Sequence, residues 1–144
     1  MTGRYNSELK QLSTVYDAAV SADVSSLIRT VTTWSEHPMI MVGSGGSFST
    51  ASFAAFLHEH VTGRLTRAAT PLELSNGSLP DAGVACFSAN GRNRDIIAAF
   101  RNASRHEVDP LSALVLADDS PLAEMASRWH YARVVAAPHP EFKD

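Results

Sequence analysis

The sequence predicts a doubly wound α/β fold in which helices flank a five-stranded parallel sheet. From about residue 35 onward, short apolar runs alternate with segments of helical periodicity. Polar turns rich in glycine follow two of the apolar runs. Alternation at this spacing is typical of parallel strands that are connected by crossover helices. In such sheets, ligands bind beyond the carboxyl ends of the strands.

Helical patterns fill the part of the chain that precedes the sheet. Apolar residues recur at the spacing of a helix face from Leu9 to Ala19, and again from Val24 to Trp34. Because an apolar stripe must be buried, we expect these helices to cover the sheet or a partner subunit. The chain therefore divides into an N-terminal helical segment over residues 1–34 and an α/β domain over residues 35–144.

The first strand, loop and helix of the predicted sheet follow Pro38. Met39–Val42 predicts a buried strand, Gly43–Gly46 a turn, and residues 47–61 a helix. Glycines let the backbone approach a ligand closely, and a helix N-terminus attracts anions, phosphate above all. The hydroxyls that could donate to phosphate or sugar oxygens are those of Ser44, Ser47, Ser49 and Thr50. The alternative interpretation is a tight turn whose serines only cap the helix.

Two common nucleotide-binding motifs do not match this loop. A Walker loop needs Lys followed by Ser or Thr, whereas Gly46 is followed by Ser47 and Phe48. The dinucleotide fingerprint also fails at Phe48, where it requires a third glycine. No cofactor is therefore predicted. His58 and His60 share the next helix, but a spacing of two points them to nearly opposite sides, so no metal site is predicted.

Four more strands complete the predicted sheet. They are Leu65–Ala69, Gly83–Phe87, Leu111–Ala117 and Ala132–Ala136. Gly83–Phe87 leads into the polar turn Ser88–Asp95 and then into a helix, and Pro121 suits the start of a short helix. Both polar loops thus follow strands, at the edge of the sheet where ligands bind. Two donor-rich loops at one edge favour an anionic ligand.

Composition excludes several classes of protein. The 144 residues carry a formal net charge of −3, which does not suggest a nucleic-acid partner. Cys86 is the sole cysteine, the start of the chain does not resemble a signal peptide, and no apolar run is long enough for a membrane span. We expect a cytoplasmic protein with no membrane partner.

The two loops together resemble those of the sugar isomerase (SIS) domain family. The resemblance lies in Gly45–Phe48 after the first strand and in Ser88–Gly91 with Asp95 after the third, and it extends over about residues 35–140. It implies a phosphosugar ligand on a five-stranded parallel sheet. It also implies one of three activities: aldose–ketose isomerisation, the isomerase step of glucosamine-6-phosphate synthase, or sugar-phosphate sensing by a regulator.

Site residues follow from this resemblance by position. Ser47 matches the family's hydroxyl on phosphate, and Ser88 matches the first serine of its Ser-x-Ser-Gly loop. Asn90 and Asn93 stand where the family has serine and threonine, although their amides can still donate. The implied ligand-binding residues are Gly45, Gly46, Ser47, Ser49, Ser88, Asn90, Gly91 and Asn93. Alternatively, the second loop is only a turn and Asp95 supports the helix start.

The resemblance also suggests where catalytic groups would lie. Isomerisation through an enediol needs a positioned base and a second group that moves the hydroxyl proton. Glu73 matches a glutamate that is catalytic in some members, and His139 follows the fifth strand. The alternatives are that Glu73 hydrogen-bonds to a loop or a partner subunit and that His139 has no role.

In the family a long helix follows the fifth strand, whereas this sequence ends at Asp144. We expect either a fragment of a longer protein or a shortened domain completed by a partner, and a homodimer or higher oligomer. The leading prediction is binding of a phosphorylated sugar, as part of an aldose–ketose isomerase where the catalytic groups are present. The alternatives are a noncatalytic sensing or oligomerisation module and a piece of a longer enzyme.

Overall fold

The computed structural model describes residues 2–76 and 81–137. Its strands are β1 Met39–Val42, β2 Thr66–Ala69, β3 Gly83–Phe87, β4 Leu111–Val115 and β5 Ala132–Ala136. Its helices are α1 Thr2–Ser21, α2 Ser25–Trp34, α3 Gly46–Thr62, α4 Pro71–Asn76, α5 Arg94–Arg105 and α6 Pro121–Ser127. The predicted α/β fold with N-terminal helices is confirmed.

All five strands are parallel and lie in the order β2-β1-β3-β4-β5. The chain leaves β1 for β2 on one side and then returns to β3 on the other side, so the strand order reverses between β1 and β3. A reversal of this kind opens a crevice at the carboxyl ends of the two strands. Because Val42 pairs with Cys86, the loops that follow β1 and β3 start side by side.

Each face of the sheet has its own apolar cluster, since successive residues of a strand point to opposite faces. On β3, Val84 and Cys86 belong to the larger cluster, which packs under α4, α5 and α6. Ala85 and Phe87 belong to the smaller cluster, which packs under α2 and α3. The second face therefore has fewer buried residues and fewer helices to cover it.

Buried polar contacts fix the positions of α2 and α3 on that second face. The His58 ring lies with Nδ1 2.7 Å from Thr66 Oγ1 and Nε2 3.1 Å from the Trp34 carbonyl oxygen. Trp34 in turn donates its indole N–H to Ser112 Oγ of β4 over 3.1 Å. His58 therefore joins α3 to β2 and to the end of α2, and Trp34 joins α2 to the sheet.

The first helix lies largely outside this core. From Leu9 to Ser21, only Gln11 and Ala18 are half-buried, and every other residue of α1 is exposed. Tyr16 is 68% exposed although it belongs to the predicted apolar stripe. None of the described helices combines the length and the apolar composition that a membrane span needs.

Candidate functional site

A cavity of about 980 Å³ lies between α2 and α3 and opens at the carboxyl ends of the strands. Its volume is at the upper end of the range of small-molecule pockets. Apolar side chains form most of the wall, among them Phe87, Leu114 and Val135. Near the carboxyl ends of β1 and β3, its polar side chains are Ser47, Thr50 and Ser88. The cavity thus pairs an apolar body with a polar end.

The loop after β1, from Gly43 to Ser47, leaves the N-terminus of α3 open. Gly45 is the N-cap residue, with φ +56° and ψ −129°, and no side chain caps the helix. A Cβ atom added at Gly45 or at Gly46 would meet nothing within 4 Å, so the space beside this backbone is empty. Gly43 differs, since a Cβ atom there would lie 2.4 Å from the Ser47 carbonyl oxygen. Strand and helix are therefore tightly packed, while the turn between them faces open space.

The hydroxyls of this first loop are free to bind a ligand. Among the described residues, the side chains of Ser44, Ser47, Ser49 and Thr50 have no hydrogen-bond partner. Ser88, which follows β3, is 5% exposed and lines the same cavity, and its hydroxyl likewise has no partner in the described ranges. A buried hydroxyl without a partner costs free energy unless something in the cavity binds it.

The loop after β3, from Ser88 to Asn93, is closed by its own hydrogen bonds. Asn93 Oδ1 accepts the backbone N–H groups of Asp95 at 3.0 Å and Ile96 at 3.1 Å, which caps α5. Asn90 Oδ1 accepts the N–H of Arg92 at 3.0 Å. The two asparagines thus use their carbonyl oxygens inside the loop, and their amide groups make no hydrogen bond with described residues.

Gly91 fixes this second loop against the start of α6. Its φ is +60°, and a Cβ atom there would lie 2.2 Å from Ser120 Oγ. The carbonyl oxygen of Gly91 accepts the N–H of Leu122 at 3.0 Å. Ser120 itself caps α6 through the N–H of Ala123. The second loop is therefore a packed connection between α5 and α6.

Glu73 forms a capping box with Thr70 at the start of α4. Its Oε2 atom accepts the Thr70 backbone N–H at 2.6 Å and the Thr70 hydroxyl at 2.8 Å, and the Glu73 N–H lies 3.4 Å from Thr70 Oγ1. The Thr70 backbone N–H and then its hydroxyl lower the pKa of Glu73 below its ordinary value. Hydrogen bonding to a loop, the alternative interpretation of Glu73, is thus present, while a catalytic role stays a prediction.

The structure brings together Ser47 and Ser88, which line one cavity. The other predicted ligand-binding residues lie in the same two loops but do not line it: Gly45, Gly46, Ser49, Asn90, Gly91 and Asn93. His139 lies outside the described residues. Within residues 2–76 and 81–137, no group of three His, Cys, Asp or Glu side chains could hold a metal ion. Sequence reasoning missed the Thr70 cap, although the sequence Thr-Pro-Leu-Glu is a readable capping box.

No protein-family model matches the sequence, and no curated protein matches it. Solved structures do match. A protein of Escherichia coli CFT073 in complex with a phosphosugar has a TM-score of 0.70 and 15% identity, over 96% of this chain and 77% of that chain. The sugar isomerase domain of the RpiR transcription factor from Sphaerobacter thermophilus has a TM-score of 0.67 and 21% identity, over 95% and 76%.

A third match is the NanR protein of Vibrio vulnificus complexed with ManNAc-6P, with a TM-score of 0.64 and 21% identity, over 97% of this chain and 53% of that chain. At such identities a structural match shows the fold alone. The resemblance to the sugar isomerase domain is thereby confirmed for the fold.

Proposed function

We propose that this chain binds a phosphorylated sugar at the carboxyl ends of β1 and β3, with the phosphate on the first loop. One observation carries the proposal: the uncapped N-terminus of α3 lies beside Ser47 and Ser88, whose free hydroxyls line one cavity. The 17 residues of α3 give the helix its full terminal dipole, which favours an anion at this end. The hydroxyls would then donate to phosphate or sugar oxygens.

Two of the matched structures support the class of ligand. The Escherichia coli protein is in complex with a phosphosugar and the Vibrio vulnificus protein with ManNAc-6P, and both have the fold of this chain. The site in this chain supplies hydroxyl donors and a helix N-terminus, which suit a phosphate group with a polyhydroxylated body. The identity of the sugar does not follow from these features.

The geometry favours binding without catalysis over isomerisation. An isomerase needs a base and a proton-transferring group at the sugar carbons. Among the described residues that line the cavity, the one titratable side chain is His58, and both of its ring nitrogens already contact protein oxygens. Glu73 does not line the cavity and accepts two hydrogen bonds from Thr70. We therefore propose a sugar-phosphate-sensing module in the cytoplasm that acts as a homodimer or higher oligomer.

The test is thermal denaturation against a panel of sugar phosphates and their parent sugars, with Ser47→Ala, Ser88→Ala and the double variant. A ligand that binds the native state raises the midpoint by mass action. We expect a rise with a phosphosugar and none with its parent sugar. A hydrogen bond to a charged group contributes about 1.5–3 kcal/mol, so each single variant should lose roughly tenfold or more in affinity.

Ser127→Ala is the matched control, because Ser127 is an exposed serine that bonds only to its own helix. It should leave both the midpoint and the affinity unchanged. Undiminished affinity in a folded Ser47→Ala/Ser88→Ala variant would contradict the site. A folded wild-type chain that no compound stabilises would contradict the proposed function.

A further inference from the structure

We infer that two copies of this chain exchange α1, so that the apolar stripe of α1 from each copy packs into the groove between α2 and α3 of the other. The stripe consists of Leu9, Leu12, Val15, Tyr16 and Val20. The groove is walled by Val24, Leu27, Ile28 and Val31 of the α2 region and by Phe53, Leu57 and Val61 of α3. The inference does not depend on the ligand and goes beyond the proposed function by naming the surfaces that associate.

The stripe of α1 has no partner within the described part of its own chain. Leu12 is 58% exposed, Tyr16 is 68% exposed and Val20 is 69% exposed. These residues fall on one side of the helix, and the exposed Lys10 and Asp17 fall on the other side. An isolated helix of this length is marginally stable in water, so its stability depends on burying the stripe.

The groove is the complementary surface. Ile28 on one wall is 60% exposed, while Phe53 and Val61 on the other wall are 63% and 78% exposed. No α1 residue among the described ranges lines it, and none of its wall residues carries a formal charge. Its length also fits, since the 10 residues of α2 span about 15 Å and the stripe from Leu9 to Val20 spans roughly 16 Å.

The exposed apolar area is large enough for a stable pair. Tyr16 and Phe53 are about two-thirds exposed, and aromatic side chains bury roughly 150–250 Å² each, which leaves roughly 200–300 Å² of these two in water. The partly exposed aliphatic residues of the two surfaces add a similar or larger area, which gives roughly 500–800 Å² per copy. This range overlaps the roughly 600–1,000 Å² that each partner buries in a specific interface. A second copy supplies both missing surfaces at once.

The first experiment is sedimentation equilibrium without ligand. We expect the wild-type chain to be a dimer in the micromolar range. Leu12→Glu/Tyr16→Glu removes the stripe and Phe53→Glu disrupts the groove, and each should raise the dimer dissociation constant by about 30-fold or more. Thr14→Glu, on the exposed opposite side of α1, is the matched control and should not change it. A monomeric wild-type chain would overturn the inference.

Mixing the two defective variants tests the pairing of surfaces. The Leu12→Glu/Tyr16→Glu variant keeps an intact groove, and the Phe53→Glu variant keeps an intact stripe. If stripe and groove pair, each variant is monomeric alone, and the mixture forms a heterodimer with one of the two contacts. Dimerisation of the stripe variant alone would mean that grooves pair with grooves, and dimerisation of Phe53→Glu alone would mean that stripes pair with stripes. Either result overturns the exchange.

Disulfide trapping gives a readout that does not depend on affinity. A Tyr16→Cys chain mixed with a Phe53→Cys chain should form a covalent heterodimer on mild oxidation, and Thr14→Cys in place of Tyr16→Cys should not. The native Cys86 does not compete, because it is fully buried. If Tyr16→Cys and Phe53→Cys in one chain instead crosslink within a monomer, α1 packs on its own groove and the exchange is wrong. Circular dichroism confirms that each variant is folded.

Discussion

The loops after β1 and β3 share one architecture but end in opposite states. Each follows a fully buried strand, contains a glycine with positive φ and leads into a long helix. After β3, Asn93 caps the helix and Gly91 packs on Ser120. After β1, no side chain caps the helix, and a Cβ atom at Gly45 or Gly46 would meet only open space.

The difference shows how the fold separates stability from binding. On the face that α4, α5 and α6 cover, each helix starts with a side-chain cap, at Thr70, Asn93 and Ser120. These caps satisfy N–H groups that would otherwise need water or a ligand. The N-terminus of α3 has no such cap, so its donors are available. A glycine in the second loop is required by packing, whereas Gly46 in the first loop is required by nothing within the described part of the chain.

The largest effect should come from the two glycines. Gly91→Ala places a methyl group 2.2 Å from Ser120 Oγ at a φ of +60°. Backbone strain and overpacking each cost about 1–3 kcal/mol, so we expect a loss of about 2–5 kcal/mol in the free energy of unfolding, measured with denaturant. Gly46→Ala is the control at an open helix position. It should keep or slightly raise stability and lower phosphosugar affinity. The comparison fails if both variants lose the same stability.

Asn93→Ala should have a smaller effect, because it removes a helix cap without crowding the core. We expect a loss of about 1 kcal/mol in the free energy of unfolding. Asn93→Ser, which can still cap the helix, should restore most of that loss. Phosphosugar affinity should be unchanged in the folded fraction of both variants. A drop in affinity as large as that of Ser47→Ala would show that the second loop also binds the ligand, as the resemblance implies.

The smallest effect should come from Glu73→Gln. Since the hydrogen bonds from Thr70 lower the folded-state pKa of Glu73, this carboxylate stabilises the fold above its unfolded-state pKa. That contribution is lost as the pH falls below the ordinary value of 4.5 through the lowered folded-state value. Glu73→Gln should therefore flatten the decline of the thermal midpoint in acid and leave phosphosugar affinity at neutral pH unchanged. An identical acid decline in both chains would remove Glu73 from the capping role.

The strands were predictable because their residues are continuous apolar runs with clear ends. β1 is buried along its whole length and follows Pro38, and β3 is buried along its whole length and ends at a polar turn. Periodicity could not reveal α4, since its six residues are fewer than two turns of helix. Its capping box was nevertheless present in the sequence from Thr70 to Glu73.

The site was only partly predictable. The resemblance singled out Ser47 and Ser88, and parallel strand order explains why their loops meet. Whether the second loop is open or closed depends on the contact between Gly91 and Ser120, which lie on separate segments. The groove was not predictable either, because α3 carries apolar residues such as Phe53 and Ala55 on different sides. The sequence alone does not say which side another element covers.

Cys86 has a practical consequence for watching this protein move. It lies in β3 between two neighbouring strands, fully buried, and burial raises its pKa to about 12. A thiol reagent can therefore reach it only when the sheet separates. The labelling rate under native conditions then reports how often the centre of the molecule opens. Because a bound ligand lowers the population of the opened state, the same rate would reveal ligand binding in the unmodified chain, without a dye or an engineered probe.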